Sequence, residues 1–301
     1  MGHGFSTLDY IIFILYIVLI LVIAFWVSRE KKGHKKNSSD YFLASKALPW
    51  WAVGTSLIAS NISAEQFIGM SGSGYAIGLA IASYEWLSAL GLIIIAKFFM
   101  PIFLKKKIYT MPQFLEIRYD SRVRTVLSVL WLLLYVFVNL TAVLYLGALT
   151  LNTIMGIPLM YGILGLAIFA ALYSIYGGLK SVAWTDFIQV FFLIAGGLIT
   201  SFMALSAVAD QYGVNGPLAG LVEIFRHFPN KFDMILERGQ IMVPDGEGGT
   251  RDAFKDIPGI SVLLGGLWIA IFFYWGFNQY VIQKGLAAKN IKEAQRGLAF
   301  A

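Results

Sequence analysis

The sequence is dominated by apolar runs of about twenty residues, the length that an α-helix needs to cross a lipid bilayer. Seven such segments are present: one is entered at Pro49 and has residues 54–70 as its middle, and the others occupy residues 8–28, 79–104, 125–152, 158–176, 181–209 and 259–283. Of the 301 residues, 58% are hydrophobic and only 13% are charged, whereas about a quarter of a soluble domain is charged. The chain is therefore predicted to be an all-α protein that crosses the membrane several times.

The chain has no side chains suited to thiol or metal chemistry. It contains no cysteine, and its three histidines lie in predicted tails or loops without the spacing of metal ligands. No catalytic nucleophile or phosphate-binding loop is recognisable, although Glu65, Glu85 and Asp186 could supply an acid–base pair in a membrane enzyme. The sequence therefore argues against an enzyme, which we keep as a minor alternative.

Basic residues are concentrated in alternate loops. Of the 23 Lys and Arg residues, 17 lie at 29–46, 105–124, 180 and 284–301, and five lie in the other loops. Because cytoplasmic loops carry the excess of Lys and Arg, this pattern predicts a multi-pass protein of the cell (inner) membrane with its N-terminus outside. The lipid bilayer is then the expected partner. The net charge of +6 has a topological explanation, so we predict no binding of nucleic acid.

The second apolar segment is interrupted by polar residues where a membrane helix should be most apolar. Ser60, Asn61 and Ser63 come first, and Glu65 and Gln66 follow. A charged residue at this depth costs roughly 2.5–3.5 kcal/mol on insertion scales, so it indicates a functional role. Ser and Asn compete with helical hydrogen bonds, and transporters use broken helices to expose carbonyl groups to ions. We predict a broken helix; the alternative is a continuous helix whose polar face meets other helices.

Polar residues also mark the third and sixth segments. Spacings of three and four residues place Tyr84, Glu85 and Ser88 on one helical face. Gly177-Gly178 is predicted to break the chain before the sixth segment, which carries Asp186 in its first turns. An Asp near a helix start is favoured by the helix dipole alone, so its function is not settled by its position.

Two further stretches lie outside the apolar segments. Residues 210–258 are polar, with more acidic than basic residues and a glycine-rich sequence at 246–249, and they are predicted to form an extramembrane loop of weak structure. Residues 284–301 are predicted to form an amphipathic tail.

Several motifs together resemble the solute:sodium symporter family: SNISAEQFIGMSGSGY, ASYEW, FVNLT, SIYGGLKSVAWTDFIQVFF and YWGFNQY. The resemblance covers essentially the whole chain apart from the long loop. It implies a leucine-transporter-like fold of two inverted five-helix repeats preceded by an extra helix. On this basis the chain is a single, truncated transporter domain with the extra helix at 8–28, the first repeat at 49–209, an extracytoplasmic loop at 210–258 and the start of the second repeat at 259–301.

The resemblance implies a set of solute-binding residues: Asn61, Gln66, Met70, Tyr84, Glu85, Ser88 and Tyr274. In the family, groups at the positions of Asn61, Gln66, Glu85 and Ser88 hydrogen-bond the hydroxyl groups of a sugar, for which amides and carboxylates are suitable partners. Met70 and Tyr84 would cover the solute from outside. Tyr274 would stack beneath the sugar ring as the inner gate. Glu65 is adjacent to Gln66 and projects roughly 100° away on a helix, so it is not expected to bind the solute.

The resemblance also implies a sodium ion. Backbone carbonyls of Ala59 and Ile62 at the helix break would bind it, since hard cations prefer oxygen ligands. Asp186 is similar to a residue that helps sodium to leave inward. The family's remaining sodium ligands lie on a later helix, so we expect this chain to be the N-terminal part of a transporter.

The expected function is sodium-coupled symport of a galactose- or glucose-like sugar by alternating access. Where sugar-carrying members have an amide, this chain has Ile271, so another small polar solute is an alternative. A transporter-like sensor domain that binds a solute without moving it is a second alternative.

Overall fold

The chain is mostly helical. A computed structural model describes residues 6–29, 38–257 and 259–301. The α-helices are α1 (Thr7–Val27), α2 (Ser38–Leu43), α3 (Trp50–Asn61), α4 (Ser71–Ile77), α5 (Ser83–Ile94), α6 (Met100–Lys105), α7 (Met111–Arg118), α8 (Ser121–Leu134), α9 (Thr141–Met155), α10 (Leu159–Gln211), α11 (Pro217–His227), α12 (Ile260–Leu264), α13 (Leu267–Phe272), α14 (Gln279–Leu286) and α15 (Ile291–Phe300).

Wider and narrower helical turns connect several of these helices. Segments of π-helix occupy Glu65–Met70, Ile95–Phe99, Tyr135–Leu140 and Phe273–Phe277. Short 3-10 turns occupy Ala44–Lys46, Leu79–Ala82, Pro229–Phe232 and Ala253–Lys255. Strands β1 (Met242–Pro244) and β2 (Thr250–Asp252) form an antiparallel hairpin in which Val243 is opposite Arg251. Because π-helical turns are rare and frequently occur at functional sites, those that contain Gln66 and Tyr274 are of particular interest.

Four helices of the described chain are long and apolar enough to cross a membrane: Thr7–Val27, Leu79–Lys105, Ser121–Met155 and Gly177–Gln211. The bent pair Ala253–Leu264 and Leu267–Phe277 is a fifth candidate. The second and fifth predicted segments are also helical but shorter, since one ends at Asn61 and the other is the apolar helix Leu159–Leu172. Each of the seven predicted segments contains helix in the described chain, but four of them qualify as membrane spans by length and composition and the seventh does so only as a bent pair.

The predicted break before the sixth segment is confirmed. Gly178 has φ 59° and ψ −159° within α10, a backbone conformation that is essentially restricted to glycine. A Cβ atom at Gly178 would lie 2.7 Å from the carbonyl oxygen of Tyr41, and one at Gly177 would lie 2.4 Å from Oγ of Ser28. The bend thus brings the backbone of α10 close to the C-terminal end of α1 and to α2.

Contacts along the chain divide it into two compact units. The first comprises Met1–Ile68, Ile93–Ile188 and Trp275–Ala301, and the second comprises Gly69–Leu92 and Gln189–Tyr274. In the first unit, α15 packs along α3. A Cβ at Gly297 would lie 2.6 Å from Val53 Cβ, and the backbone N–H of Trp50 donates to Glu293 at 2.7 Å. The predicted amphipathic tail is therefore a helix with a defined partner.

In the second unit, the long polar stretch is ordered, so the prediction of weak structure was wrong. Its apolar side chains form a buried cluster with the last residue of α4 and the 3-10 turn that follows: Ile77, Ala80, Leu236, Ile241, Val243, Ala253 and Ile257. The carboxylate of Asp252 accepts hydrogen bonds from the N–H groups of Phe254 at 3.0 Å and Gly239 at 2.8 Å, which hold its pKa below the usual value. The prediction failed because it weighed the polar composition of this stretch and not the spacing of its few apolar residues.

The same stretch is attached to α4 by its backbone and by Lys231. The ammonium group of Lys231 donates to the carbonyl oxygens of Tyr75 at 3.2 Å and of Ala76 at the C-terminal end of α4. These carbonyls have no partner within the helix, so a cation there stabilises them. Gly78 has φ 94°, and a Cβ at this position would lie 2.2 Å from the carbonyl oxygen of Lys231. We refer to residues 229–257 as the docked loop.

Candidate functional site

The helix break in the second apolar segment lies at Ile62 and Ser63. Helix α3 ends at Asn61, Ile62 is extended (φ −84°, ψ 109°), and the π-helical segment begins at Glu65. The backbone N–H of Ser63 would bond the Ala59 carbonyl in a continuous α-helix, but it donates instead to Oε1 of Gln66 at 2.9 Å. The broken-helix interpretation is therefore correct, and a continuous helix is excluded.

The break changes the hydrogen bonding of two backbone carbonyl groups. The N–H of Gln66, which would bond the Ile62 carbonyl in a continuous helix, donates to the Ser63 carbonyl at 3.1 Å. The carbonyls of Ala59 and Ile62 thus both lack their usual helical partner, and both residues are half-buried. Carbonyl oxygens of this kind can bind a hard cation. The chemistry of these two groups fits the predicted sodium site.

Gln66 also stabilises the break through its side chain. In addition to the Ser63 N–H, its Oε1 accepts the hydroxyl of Ser63 at 2.9 Å. The oxygen of the amide is therefore engaged locally, and the NH₂ end is the part that can donate to a solute. Gln66 and Asn61 are half-buried, whereas Glu65 is exposed.

Asp186 lies in the first unit and contacts α3 at Ser56, between one and two turns before the break. It is 7% exposed, accepts the hydroxyl of Ser56, and has Nζ of Lys284 3.9 Å from its Oδ2. The span that contains it begins at Gly177. The helix-dipole explanation for Asp186 is therefore wrong, because the dipole effect is confined to the first turn. Asp186 is instead the centre of a buried polar cluster with Ser56 and Lys284.

The other predicted solute-binding residues lie in the second unit. These are Met70, Tyr84, Glu85, Ser88 and Tyr274, all half-buried. Helices α5 and α13 pack tightly there, since a Cβ at Gly91 would lie 2.2 Å from Cγ2 of Ile271. The helix that carries Glu85 and Ser88 is thus adjacent to α13, which leads into the π-helical segment that contains Tyr274.

Tyr84 of this group and the neighbouring Ile271 have packing partners that the sequence did not predict. Tyr84 packs against the apolar cluster of the docked loop. Ile271 is 4% exposed and packs against Gly91. The position where an amide was expected is therefore a helix–helix contact in this chain.

A second helix break lies in the seventh apolar segment, close to Tyr274. Asn278 is extended (φ −73°, ψ 119°) and precedes α14. The hydroxyl of Tyr135 donates to Oδ1 of Asn278 at 2.7 Å and accepts the N–H of Gln279 at 3.1 Å. Oε1 of Gln279 accepts the N–H of Met111 at 2.7 Å. The only signal for Tyr135 in the sequence was a hydroxyl-bearing residue within an apolar segment.

Comparisons with known proteins agree with this architecture. The chain is 56% identical over 299 residues to the sodium/glucose cotransporter of Vibrio parahaemolyticus, covering 99% of this chain and 52% of that protein. It is 31% identical to the mouse sodium/glucose cotransporter 4, of which it covers 42%, and 31% identical to the human sodium/myo-inositol cotransporter 2, of which it covers 43%. The chain spans about half the length of the relatives it matches.

The fold matches a solved structure as well. A sodium-coupled sialic acid symporter in a substrate-bound, outward-open state superposes with a TM-score of 0.81 at 25% identity, covering 99% of this chain and 57% of that chain. The predicted all-α, leucine-transporter-like fold is thereby confirmed. The profile of the Sodium:solute symporter family matches residues 41–301. With most of its length matched by that profile and its fold shared with a sodium-coupled symporter, this chain belongs to the sodium:solute symporter family.

Proposed function

We propose that the chain is part of a sodium-coupled symporter for a galactose- or glucose-like sugar in the inner membrane, with its N-terminus outside. The observation that carries the proposal is the break after Asn61, where the carbonyls of Ala59 and Ile62 lose their helical partners. The 56% identity to a sodium/glucose cotransporter supports a sugar as the solute.

In this proposal one set of residues binds sodium and another set binds the sugar. Carbonyls of Ala59 and Ile62 bind sodium, and Asp186 receives the ion on its way inward. Asn61, Gln66, Glu85 and Ser88 hydrogen-bond the sugar hydroxyls. Met70 and Tyr84 cover the sugar from outside, and Tyr274 stacks against its ring. Alternating access in this fold needs both inverted repeats, and we propose that residues 49–209 form the first and that 259–301 begin the second, with the extra helix at 8–28.

The packing of Ile271 favours a second candidate within the same class. An apolar residue buried against Gly91 supplies no hydrogen bond to a solute. A small polar solute with fewer hydroxyl groups than a hexose would then be carried by the same ion-coupled mechanism.

Uptake by a chimera tests both candidates. The chimera joins this chain to the part of the Vibrio cotransporter that it does not match, and proteoliposomes are supplied with labelled galactose, glucose, myo-inositol or an amino acid. We expect galactose or glucose uptake that requires an inward sodium gradient. Uptake of the amino acid alone would favour the second candidate, whereas uptake of myo-inositol alone would contradict it, because myo-inositol has more hydroxyl groups than a hexose. Sugar uptake that is unchanged when potassium replaces sodium would rule out the proposed coupling.

A further inference from the structure

A basic cavity lies where one of the membrane spans ends. Its volume is about 530 Å³, and its lining includes five lysines: Lys46, Lys105, Lys107, Lys289 and Lys292. The span Leu79–Lys105 ends at the second of these residues. The cavity is therefore at the boundary of the membrane and not within it.

The five lysines come from three segments that are far apart in the sequence, and contacts within the first unit hold these segments together. The N–H of Leu48 donates to the Ala287 carbonyl at 3.2 Å, and the N–H of Lys289 donates to the Leu48 carbonyl at 3.0 Å. Met100 of α6 packs against α14, since a Cβ at Gly285 would lie 3.0 Å from its Cε. The cavity is thus preformed by backbone and core contacts.

Acidic partners do not neutralise this charge in the described part of the chain. None of the five lysines forms an ion pair with a carboxylate there. Glu293, the nearest acidic residue in sequence to Lys292, accepts the N–H of Trp50 at 2.7 Å. Nearby like charges repel each other, so this arrangement is stabilised when an anion enters.

The positive-inside rule accounts for the number of basic residues on this side of the membrane but not for their convergence. Lys106 lies between two lining residues and is itself exposed, yet it does not line the cavity. Lys46 and Lys107 have left-handed backbones with φ 51° and 53°, which is uncommon for residues other than glycine. Lys46 also lies 5.7 Å from the ring centre of Tyr109, which limits its freedom.

The remaining lining residues identify the chemistry of the ligand. Leu104, Ala288 and Ile291 contribute apolar walls, and Asn290 lies at the start of α15. Ammonium groups bind phosphate as point charges, and the apolar walls suit the first methylene groups of a lipid's acyl chains. We propose that this cavity binds a phosphate group, carried by an anionic phospholipid headgroup or by a small phosphorylated metabolite. The proposal does not depend on which solute is transported.

Lysine labelling tests the proposal on the full chain in a neutral detergent. An amine-reactive reagent is applied with dioctanoyl phosphatidylglycerol, dioctanoyl phosphatidylcholine or glycerol 3-phosphate, and modified peptides are quantified by mass spectrometry. We expect saturable protection of the five lining lysines by phosphatidylglycerol, with Lys106 unprotected as the internal control. Protection by glycerol 3-phosphate at equal concentration would identify a soluble phosphate as the ligand.

Two charge-matched variants complete the test. Lys107→Gln/Lys289→Gln removes two cavity charges, and Lys106→Gln/Arg122→Gln removes two charges outside it. Each lysine near a bound anionic lipid contributes about a fivefold factor in affinity. The cavity variant should therefore bind phosphatidylglycerol about 25-fold more weakly than the control variant does. The difference should shrink at high salt. Equal weakening in the two variants, equal protection by phosphatidylcholine, or no protection by either phosphate compound would overturn the proposal.

Discussion

At the scale of single residues, Gln66 combines two functions at one position. Its carbonyl oxygen accepts both the N–H and the hydroxyl of Ser63 and so stabilises the helix break. Its NH₂ group is the end that can donate to a solute. A glutamate at this position keeps the accepting oxygens and loses the donor, so the two functions can be separated experimentally.

We predict that Gln66→Glu and Gln66→Ala both weaken sugar binding by the chimera by about tenfold to a hundredfold, since a lost hydrogen bond in a desolvated site costs about 1–3 kcal/mol. Only Gln66→Ala should also weaken sodium binding, because it alone removes the acceptor that holds the break open. Calorimetry with each ligand measures both effects. Glu65→Ala, at the exposed neighbouring position, is the control. Full sugar affinity in Gln66→Glu would exclude Gln66 from the solute site.

A second prediction concerns the buried pair of Asp186 and Lys284. Either Asp186→Ala or Lys284→Ala leaves one buried charge without its partner, which should lower the free energy of unfolding by about 3 kcal/mol. The double variant Asp186→Asn/Lys284→Met should recover most of this loss, since neutral or apolar replacement of both partners removes the unpaired charge. Ser56→Ala, which removes one neutral hydroxyl group, should cost only about 1 kcal/mol.

Chemical denaturation in detergent measures the free energy of unfolding of these four variants. Additive losses in the double variant would show that Asp186 and Lys284 do not interact.

At the scale of helices and loops, glycine positions determine where segments meet. Gly178 forms the bend in α10, and the conformation there is open to glycine and strained for other residues. We predict that Gly178→Ala lowers the free energy of unfolding by about 1–3 kcal/mol. Gly196→Ala, in the same helix with no atom near the added methyl group, should be neutral or stabilising. Thermal unfolding of the two variants compares them directly, and equal midpoints would argue against strain at the bend.

The attachment of the docked loop gives a further prediction. Gly78→Ala places a methyl group against the Lys231 carbonyl and should release the loop from α4. Limited proteolysis should then cleave residues 229–257 at least tenfold faster than in the parent chain, whereas Gly74→Ala, where nothing lies within 4 Å of the added atom, should leave the rate unchanged. If residues 229–257 were cleaved at the same rate in Gly78→Ala as in the parent chain, the loop would be held by other contacts.

The sequence predicted the helix breaks better than the contacts that stabilise them. Ser60, Asn61 and Ser63 interrupt an apolar segment, and that local signal is visible without a structure. The hydrogen bond from Tyr135 to Asn278 joins residues 143 positions apart. The sequence of an apolar segment that contains a tyrosine is the same whether or not the tyrosine hydroxyl has a distant polar partner. The order of the docked loop was missed for the same reason, because its core includes Ile77 and Ala80 from a distant segment.

At the scale of the whole molecule, the two carbonyls of the helix break are too few to hold a sodium ion alone, because a hard cation is bound by a shell of several oxygen ligands and not by two. We predict that this chain by itself is not stabilised by sodium relative to potassium. The chimera should gain about 1.4 kcal/mol at a sodium concentration ten times the Kd. Thermal unfolding of both proteins in the two salts is the measurement. A sodium-dependent shift in the chain alone would mean that its own residues complete the ion site.

The contact between Lys231 and α4 also has a consequence for the order of events during synthesis. Lys231 lies 155 residues after Ala76, whose carbonyl it binds. At about 5–20 residues per second on the ribosome, roughly 8–30 s pass between the two positions. During that interval the C-terminal carbonyls of α4 must be satisfied by water or by lipid headgroups. The nascent chain therefore passes through a long-lived stage in which the broken helix has been synthesised in full but the C-terminal end of α4 has not yet acquired its final partner.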